Sequence, residues 1–115
     1  MKKVLVVEDY DDYYRLAEKG LAGKVEIMRA ETLSEGRKLF QENPDVDLII
    51  MDACVPGDKP NSMPLVAEII ESGYDKPIIA SSSMPFYTNK LVEAGATHEA
   101  DKMEAPKLAL GLLGL

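Results

Sequence analysis

Leu48-Ile49-Ile50-Met51-Asp52 decides how this chain is read. Four consecutive apolar residues ending on a carboxylate do not suit a half-exposed strand, in which every second side chain would face water. They suit a strand covered by helices on both faces, as in a parallel sheet. Two other stretches share this character: Val4-Leu5-Val6-Val7 runs into Glu8 and Asp9, and Ile78-Ile79-Ala80 runs into Ser81, Ser82 and Ser83. Strands are therefore predicted over residues 3–7, 46–51 and 77–81, with another over 25–29. A fifth, over 97–101, reads Thr97-His98-Glu99-Ala100-Asp101, too polar for the middle of a sheet and tolerated only at its edge.

Outward from these strands the apolar period changes to that of a helix. Tyr13, Leu16, Ala17 and Leu21 form one helical face, and Leu33, Gly36, Leu39 and Phe40 a second. The second opens on Thr32-Leu33-Ser34-Glu35, a capping box, and stops at Asn43-Pro44. A third helix starts near Ser62 with Pro64 in its first turn, turns Leu65, Val66, Ile69 and Ile70 inward, and ends at Gly73. A fourth covers 83–95 with Tyr87, Leu91 and Val92 as its apolar face. A fifth starts near Ala105 and carries Leu108, Leu112 and Leu115. Strand and helix in strict alternation mean right-handed crossovers and an open, doubly wound α/β sheet, whose site lies outside the carboxyl ends of its strands.

Composition narrows the function. The 115 residues suit one domain, 1–115, with 46% hydrophobic residues and 29% charged. Thirteen basic residues against 20 acidic ones give a net charge of -7, which speaks against a nucleic-acid surface. One cysteine and one histidine allow neither an internal disulfide nor a Cys/His zinc site. The apolar start meets Glu8 too soon for a signal peptide, and the stretch from Leu108 to Leu115 is too short to span a bilayer. A cytoplasmic protein without membrane contact is expected.

The predicted strand ends bring Glu8, Asp9, Asp52, the serines 81–83 and Lys102 to one edge. Three converging carboxylates repel one another unless a cation joins them, and all-oxygen ligands select a hard ion such as Mg²⁺. A carboxylate beside such an ion, a lysine and a hydroxyl has what an aspartyl phosphate needs.

Glu8-Asp9, Asp52 followed by Val55-Pro56-Gly57, the run Pro77-Ile78-Ile79-Ala80-Ser81-Ser82, Ala94-Gly95-Ala96 and Lys102 together resemble the receiver domain of two-component response regulators, in order and over essentially the whole chain. The resemblance implies a flavodoxin-like (βα)5 domain with a five-stranded parallel sheet in the order 2-1-3-4-5. It implies that Asp52 accepts a phosphoryl group, that Glu8, Asp9, Asp52 and the backbone carbonyl of Cys54 hold Mg²⁺, that Ser82 is the switch hydroxyl and that Lys102 contacts the phosphate. It also implies a sensor histidine kinase or histidine phosphotransfer protein as donor, within a two-component or phosphorelay pathway, and a downstream protein target.

The pattern departs from the family in places. Glu99 stands three positions before the lysine, where the family places an aromatic residue that reports phosphorylation; Met103 replaces a proline and Ser83 an alanine. The segment from Ser82 to Gly95 is about a turn short, judged by helix geometry. In the loop Pro56-Gly57-Asp58-Lys59-Pro60-Asn61 a proline replaces a frequent glycine and is expected to stiffen the approach to the site.

Plainer readings apply elsewhere. Asp11 and Asp12 suit a first helical turn and Ser83 an N-cap. Cys54 reads as a small loop residue, His98 as an edge-strand residue, and Tyr10, Tyr13 and Tyr14 as helix-face packing. The opposing functional class is a pseudo-receiver, a protein-interaction module that works without phosphorylation; the missing aromatic favours it and the retained acids, serine and lysine oppose it. An aspartate phosphohydrolase would need a second acid where Cys54 stands, and a nucleotide or flavin binder would be repelled by Glu8 and Asp9. The chain is thus expected to act on itself and not to turn over substrate. Its output is expected through partner contact, as a monomer or as a weak dimer through the fifth helix.

Overall fold

The apolar runs become the interior strands of one sheet. The computed structural model describes residues 1–55 and 60–115, so the expected stiffening across 56–59 lies outside the described residues. Its elements alternate as β1 (Lys3–Val7), α1 (Asp11–Leu21), β2 (Glu26–Ala30), α2 (Leu33–Glu42), β3 (Leu48–Met51), α3 (Met63–Glu71), β4 (Ile78–Ser81), α4 (Pro85–Ala94), β5 (His98–Ala100) and α5 (Ala105–Leu112). All strand pairs are parallel, in the order β2-β1-β3-β4-β5.

The two-residue period of a strand divides each apolar run between two cores. Leu5, Val7, Ile49, Met51, Ile78 and Ala80 pack with Phe40, Leu65, Ile69 and Leu91 of α2, α3 and α4. Val4, Val6, Leu48, Ile50 and Ile79 pack with Ala17, Leu21, Ala105 and Ala109 of α1 and α5. Each fully buried Val, Leu or Ile contributes about 1.5–3 kcal/mol of transfer free energy. β5 is the short polar edge, where Thr97 Oγ1 receives the Ile78 N–H at 2.9 Å and lies 2.8 Å from His98 Nδ1.

The N-cap half of the expected capping box forms, Thr32 Oγ1 accepting from the Glu35 N–H at 3.1 Å, and Glu35 Oε1 accepts from the Thr32 hydroxyl at 3.4 Å; Asn43 is the C-cap of α2. Gly36 lets α2 close onto the sheet, since a Cβ there would stand 3.3 Å from both Leu65 Cδ2 and Val7 Cγ2.

Several expectations need correction. β2 starts one residue later than predicted, with Val25 buried just outside the ladder. Ile70 and Val92 are exposed, because the inward arc of α3 is filled by Leu65, Val66 and Ile69, and that of α4 by Thr88 and Leu91. α5 turns Ala105, Pro106 and Ala109 inward; Leu108 and Leu112 are half-buried and Leu115 is exposed. α4 starts at Pro85, whose ring suits a first helical position. Met84, not Ser83, stands at the N-cap and no side chain caps the helix; Ser82 Oγ accepts from the Met84 N–H at 3.1 Å, and Ser83 is exposed. No helix among the described residues is long and apolar enough to cross a membrane.

Candidate functional site

Register places the acids together. Val7 lies opposite Met51 in the parallel pair β1 and β3, so the residues that follow, Glu8 and Asp9 on one strand and Asp52 on the other, emerge side by side. The ladder continues one step beyond the strands: the Asp52 N–H reaches the Val7 carbonyl at 3.0 Å, and the Glu8 N–H reaches that of Ala30 at 2.9 Å. Ser62, ahead of α3, fixes the main chain from below by donating its hydroxyl to the Asp52 carbonyl at 2.5 Å. One oxygen from each of Glu8, Asp9 and Asp52 falls within 4.8 Å of the others.

Lys102 arrives from the far side of the sheet, two residues beyond β5, and its ammonium is almost wholly used. Nζ donates to Glu8 Oε1 at 2.5 Å, to the Ser81 carbonyl at 2.8 Å and to Asp52 Oδ1 at 3.0 Å. Its side chain is 10% exposed, against 5% for Glu8 and 11% for Asp52. Asp52 Oδ1 also accepts from the Ala53 N–H at 2.9 Å. Burial pushes the Glu8 carboxyl up to about 7; the Lys102 charge opposes this, the neighbouring Asp52 adds to it, and the bonds from Lys102 and the Tyr10 N–H oppose it again. The Lys102 ammonium therefore does not offset the burial of Glu8, and the all-oxygen donor set fits a hard divalent ion.

A cavity of about 380 Å³ opens above these groups, with Glu8, Asp9, Asp52, Cys54 and Ser82 on its surface. Tyr10, Tyr13, Met84 and Tyr87 wall it. The structure thus brings together every residue singled out from the sequence: the three carboxylates, Cys54 and Ser82 line one cavity, and Lys102 binds two of the carboxylates from behind.

The aromatic wall was not read from the sequence. Tyr10 is exposed at the position preceding α1 and packs edge-on against Tyr13, with ring centroids 5.0 Å apart. The Tyr13 ring lies 5.3 Å from Lys102 Nζ, within cation–π range, so this residue belongs to the site as well as to the helix. Its spacing in the sequence is that of ordinary helix packing, and only the approach of Lys102 from another element sets it apart. Glu99 is exposed, lining with Ser82, Thr88 and Asp101 a separate cavity of about 250 Å³.

Fold and acidic edge define a class of protein: a doubly wound, flavodoxin-like α/β domain with its polar groups at the carboxyl ends of parallel strands. Among solved structures, this is the fold of the response regulator receiver domains, several of which match nearly the whole chain. A receiver domain protein from Clostridium thermocellum is 22% identical with a TM-score of 0.80, over 99% of this chain and 93% of its own. The N-terminal domain of an uncharacterized protein from Wolinella succinogenes is 26% identical with a TM-score of 0.78, over 98% and 90%. A response regulator from Burkholderia pseudomallei, solved with a phosphorylated aspartic acid, a calcium ion and citrate, is 19% identical with a TM-score of 0.77, over 97% and 66%. No protein-family model and no curated protein matches the chain.

Proposed function

We propose that this chain is a working receiver: it takes a phosphoryl group onto Asp52 in a Mg²⁺-dependent reaction and thereby changes the surface it offers to a protein partner. The observation that carries the reading is the placement of Lys102 Nζ 3.0 Å from Asp52 Oδ1, beside two further carboxylates within 4.8 Å. A buried lysine held against the acceptor carboxylate, in a cavity open to a donor, is suited to transfer chemistry more than to packing.

Oδ1 is engaged by two donors, the Ala53 N–H and Lys102, so we assign the attack to Oδ2. Oδ2 bonds to phosphorus as the bond from phosphorus to the donor's imidazole nitrogen breaks, and the electron pair of that bond stays on the nitrogen. Glu8, Asp9, Asp52 and the carbonyl of Cys54 would hold Mg²⁺, which supplies neutralising charge for the phosphoryl oxygens. Lys102 holds the acceptor and meets one phosphoryl oxygen, and Ser82 turns its hydroxyl to another. The phosphorylated aspartic acid and calcium ion of the Burkholderia pseudomallei regulator support such a site on this fold.

The donor in this reading is a sensor histidine kinase or a histidine phosphotransfer protein, and the setting is the cytoplasm. The chain promotes its own phosphorylation and dephosphorylation and is not a multiple-turnover enzyme. Glu99 is exposed where the family has its aromatic reporter, and the missing aromatic favours the second reading, a phosphorylation-independent interaction module. Incubation with a small-molecule phosphodonor and Mg²⁺ separates the two. The receiver reading expects a mass increase of one phosphoryl group that is absent from Asp52→Asn; an unmodified wild type would leave the interaction module.

A further inference from the structure

Arg29 makes contacts that packing does not require. It sits on β2 opposite Val6 of β1, with its side chain 22% exposed. Its Nε donates to the main-chain carbonyl of Glu8 at 3.3 Å and one terminal nitrogen donates to that of Asp9 at 3.4 Å. The same nitrogen reaches Asp11 Oδ1 at 2.8 Å and Glu31 Oε1 at 3.5 Å. The guanidinium carbon lies 4.3 Å from the centroid of the Tyr14 ring on α1, which fixes the plane of the fork.

From this geometry we infer that Arg29 is the positioning residue of the metal site, acting on the main chain of Glu8 and Asp9 and not on their carboxylates. The inference rests on the receiver reading above. The two carbonyls that accept from Arg29 must point towards β2, and this sets the backbone torsions of the two residues that carry the acidic ligands. The β1–α1 connection contains no regular hydrogen-bond ladder beyond Glu8, so the direction in which the Asp9 side chain leaves the backbone follows from what fixes its main chain. Arg29 ties that connection to the sheet at one end and, through Asp11, to the first turn of α1 at the other. The two carbonyls are served by two nitrogens of one planar fork, Nε for Glu8 and a terminal nitrogen for Asp9 and Asp11, and the single nitrogen of a lysine in its place does not reproduce that fixed spacing. Its positive charge is met by Asp11 and Glu31 and would oppose a nearby cation, so any support it gives the metal site comes through geometry.

The test is Mg²⁺ titration of the purified protein beside Arg29→Met, Arg29→Lys and Asp11→Asn, with urea unfolding of each. Groups that orient metal ligands from outside the coordination shell are worth about 10- to 100-fold in affinity, and that weakening is expected for R29M. R29K should recover stability more than metal affinity. D11N removes the exposed ion pair but leaves both carbonyl contacts, and should bind Mg²⁺ within about twofold of wild type. In the metal-free protein, R29M should also raise the amide exchange of Tyr10, whose N–H donates to Glu8 Oε2 at 3.2 Å. An R29M protein that binds Mg²⁺ as tightly as wild type overturns the inference, as does an equal loss in D11N. If the wild type itself shows no saturable Mg²⁺ binding, the receiver reading falls, and the exchange of the Tyr10 amide alone then decides whether Arg29 holds the loop.

Discussion

Lys102 Nζ donates to both Glu8 Oε1 and Asp52 Oδ1, at 2.5 and 3.0 Å, and so joins residues from the ends of β1 and β3 by a side chain that follows β5. This ammonium is the counter-charge that Glu8 and Asp52 share. Removing it in Lys102→Met leaves two nearly buried carboxylates facing each other, and Glu8 can relieve the repulsion by taking a proton. The variant should therefore be destabilised by about 1–3 kcal/mol above neutrality and by less in acid, read by urea unfolding at several pH values. Equal stability of variant and wild type across the range would remove the counter-charge role.

The raised pKa of Glu8 gives a pH dependence of definite sign. Its folded value of about 7 lies above the ordinary 4.5, so the group's contribution to stability is fully present below 4.5 and is lost as pH rises through 7. In metal-free protein, stability should decline over that window and Glu8→Gln should flatten the decline. Mg²⁺ competes with the same proton, so its apparent affinity should rise with pH through about 7. Calorimetric titration on either side of that value checks this, and a pH-independent affinity would contradict it.

Tyr13 contributes a ring face to Lys102 and a wall to the cavity. Tyr13→Leu should lose the cation–π contribution of about 0.5–1 kcal/mol and admit water, shortening the life of phosphorylated Asp52, whereas Tyr13→Phe should behave as wild type. Decay of the phosphorylated species followed by mass spectrometry distinguishes the two. A similar decay in all three proteins would reduce Tyr13 to packing.

Gly95 ends α4 at φ 130°, and a Cβ there would stand 2.7 Å from Ile70 Cγ1. Gly95→Ala should lower stability by about 1–3 kcal/mol, through both the backbone conformation and the clash. Adding Ile70→Ala should relieve only the second part. Urea midpoints of the single and double variants measure the two contributions, and a neutral single variant would refute both.

The sequence by itself determined the architecture. Runs that are apolar at every position, such as Leu48-Ile49-Ile50-Met51, can satisfy both faces only between two layers of helix, and each ends on a polar residue because a parallel sheet exposes its carboxyl edge. Glu8, Asp9, Asp52, the serines 81–83 and Lys102 were legible for the same reason, since their distance from a strand end is a property of the chain, and the resemblance singled out Ser82 among the serines. Tertiary structure alone decided which side chains cross from one element to another. Whether Ile70 is core or surface depends on how α3 rotates against α4. Whether Tyr13 packs a helix or faces an ammonium depends on where Lys102 enters. Arg29 reads as one residue of a half-buried strand until β2 is laid beside β1 and its fork meets the carbonyls of Glu8 and Asp9. Periodicity reports the environment of a residue averaged along its own element, whereas a hydrogen bond between elements depends on register and distance, which exist only once the sheet has formed.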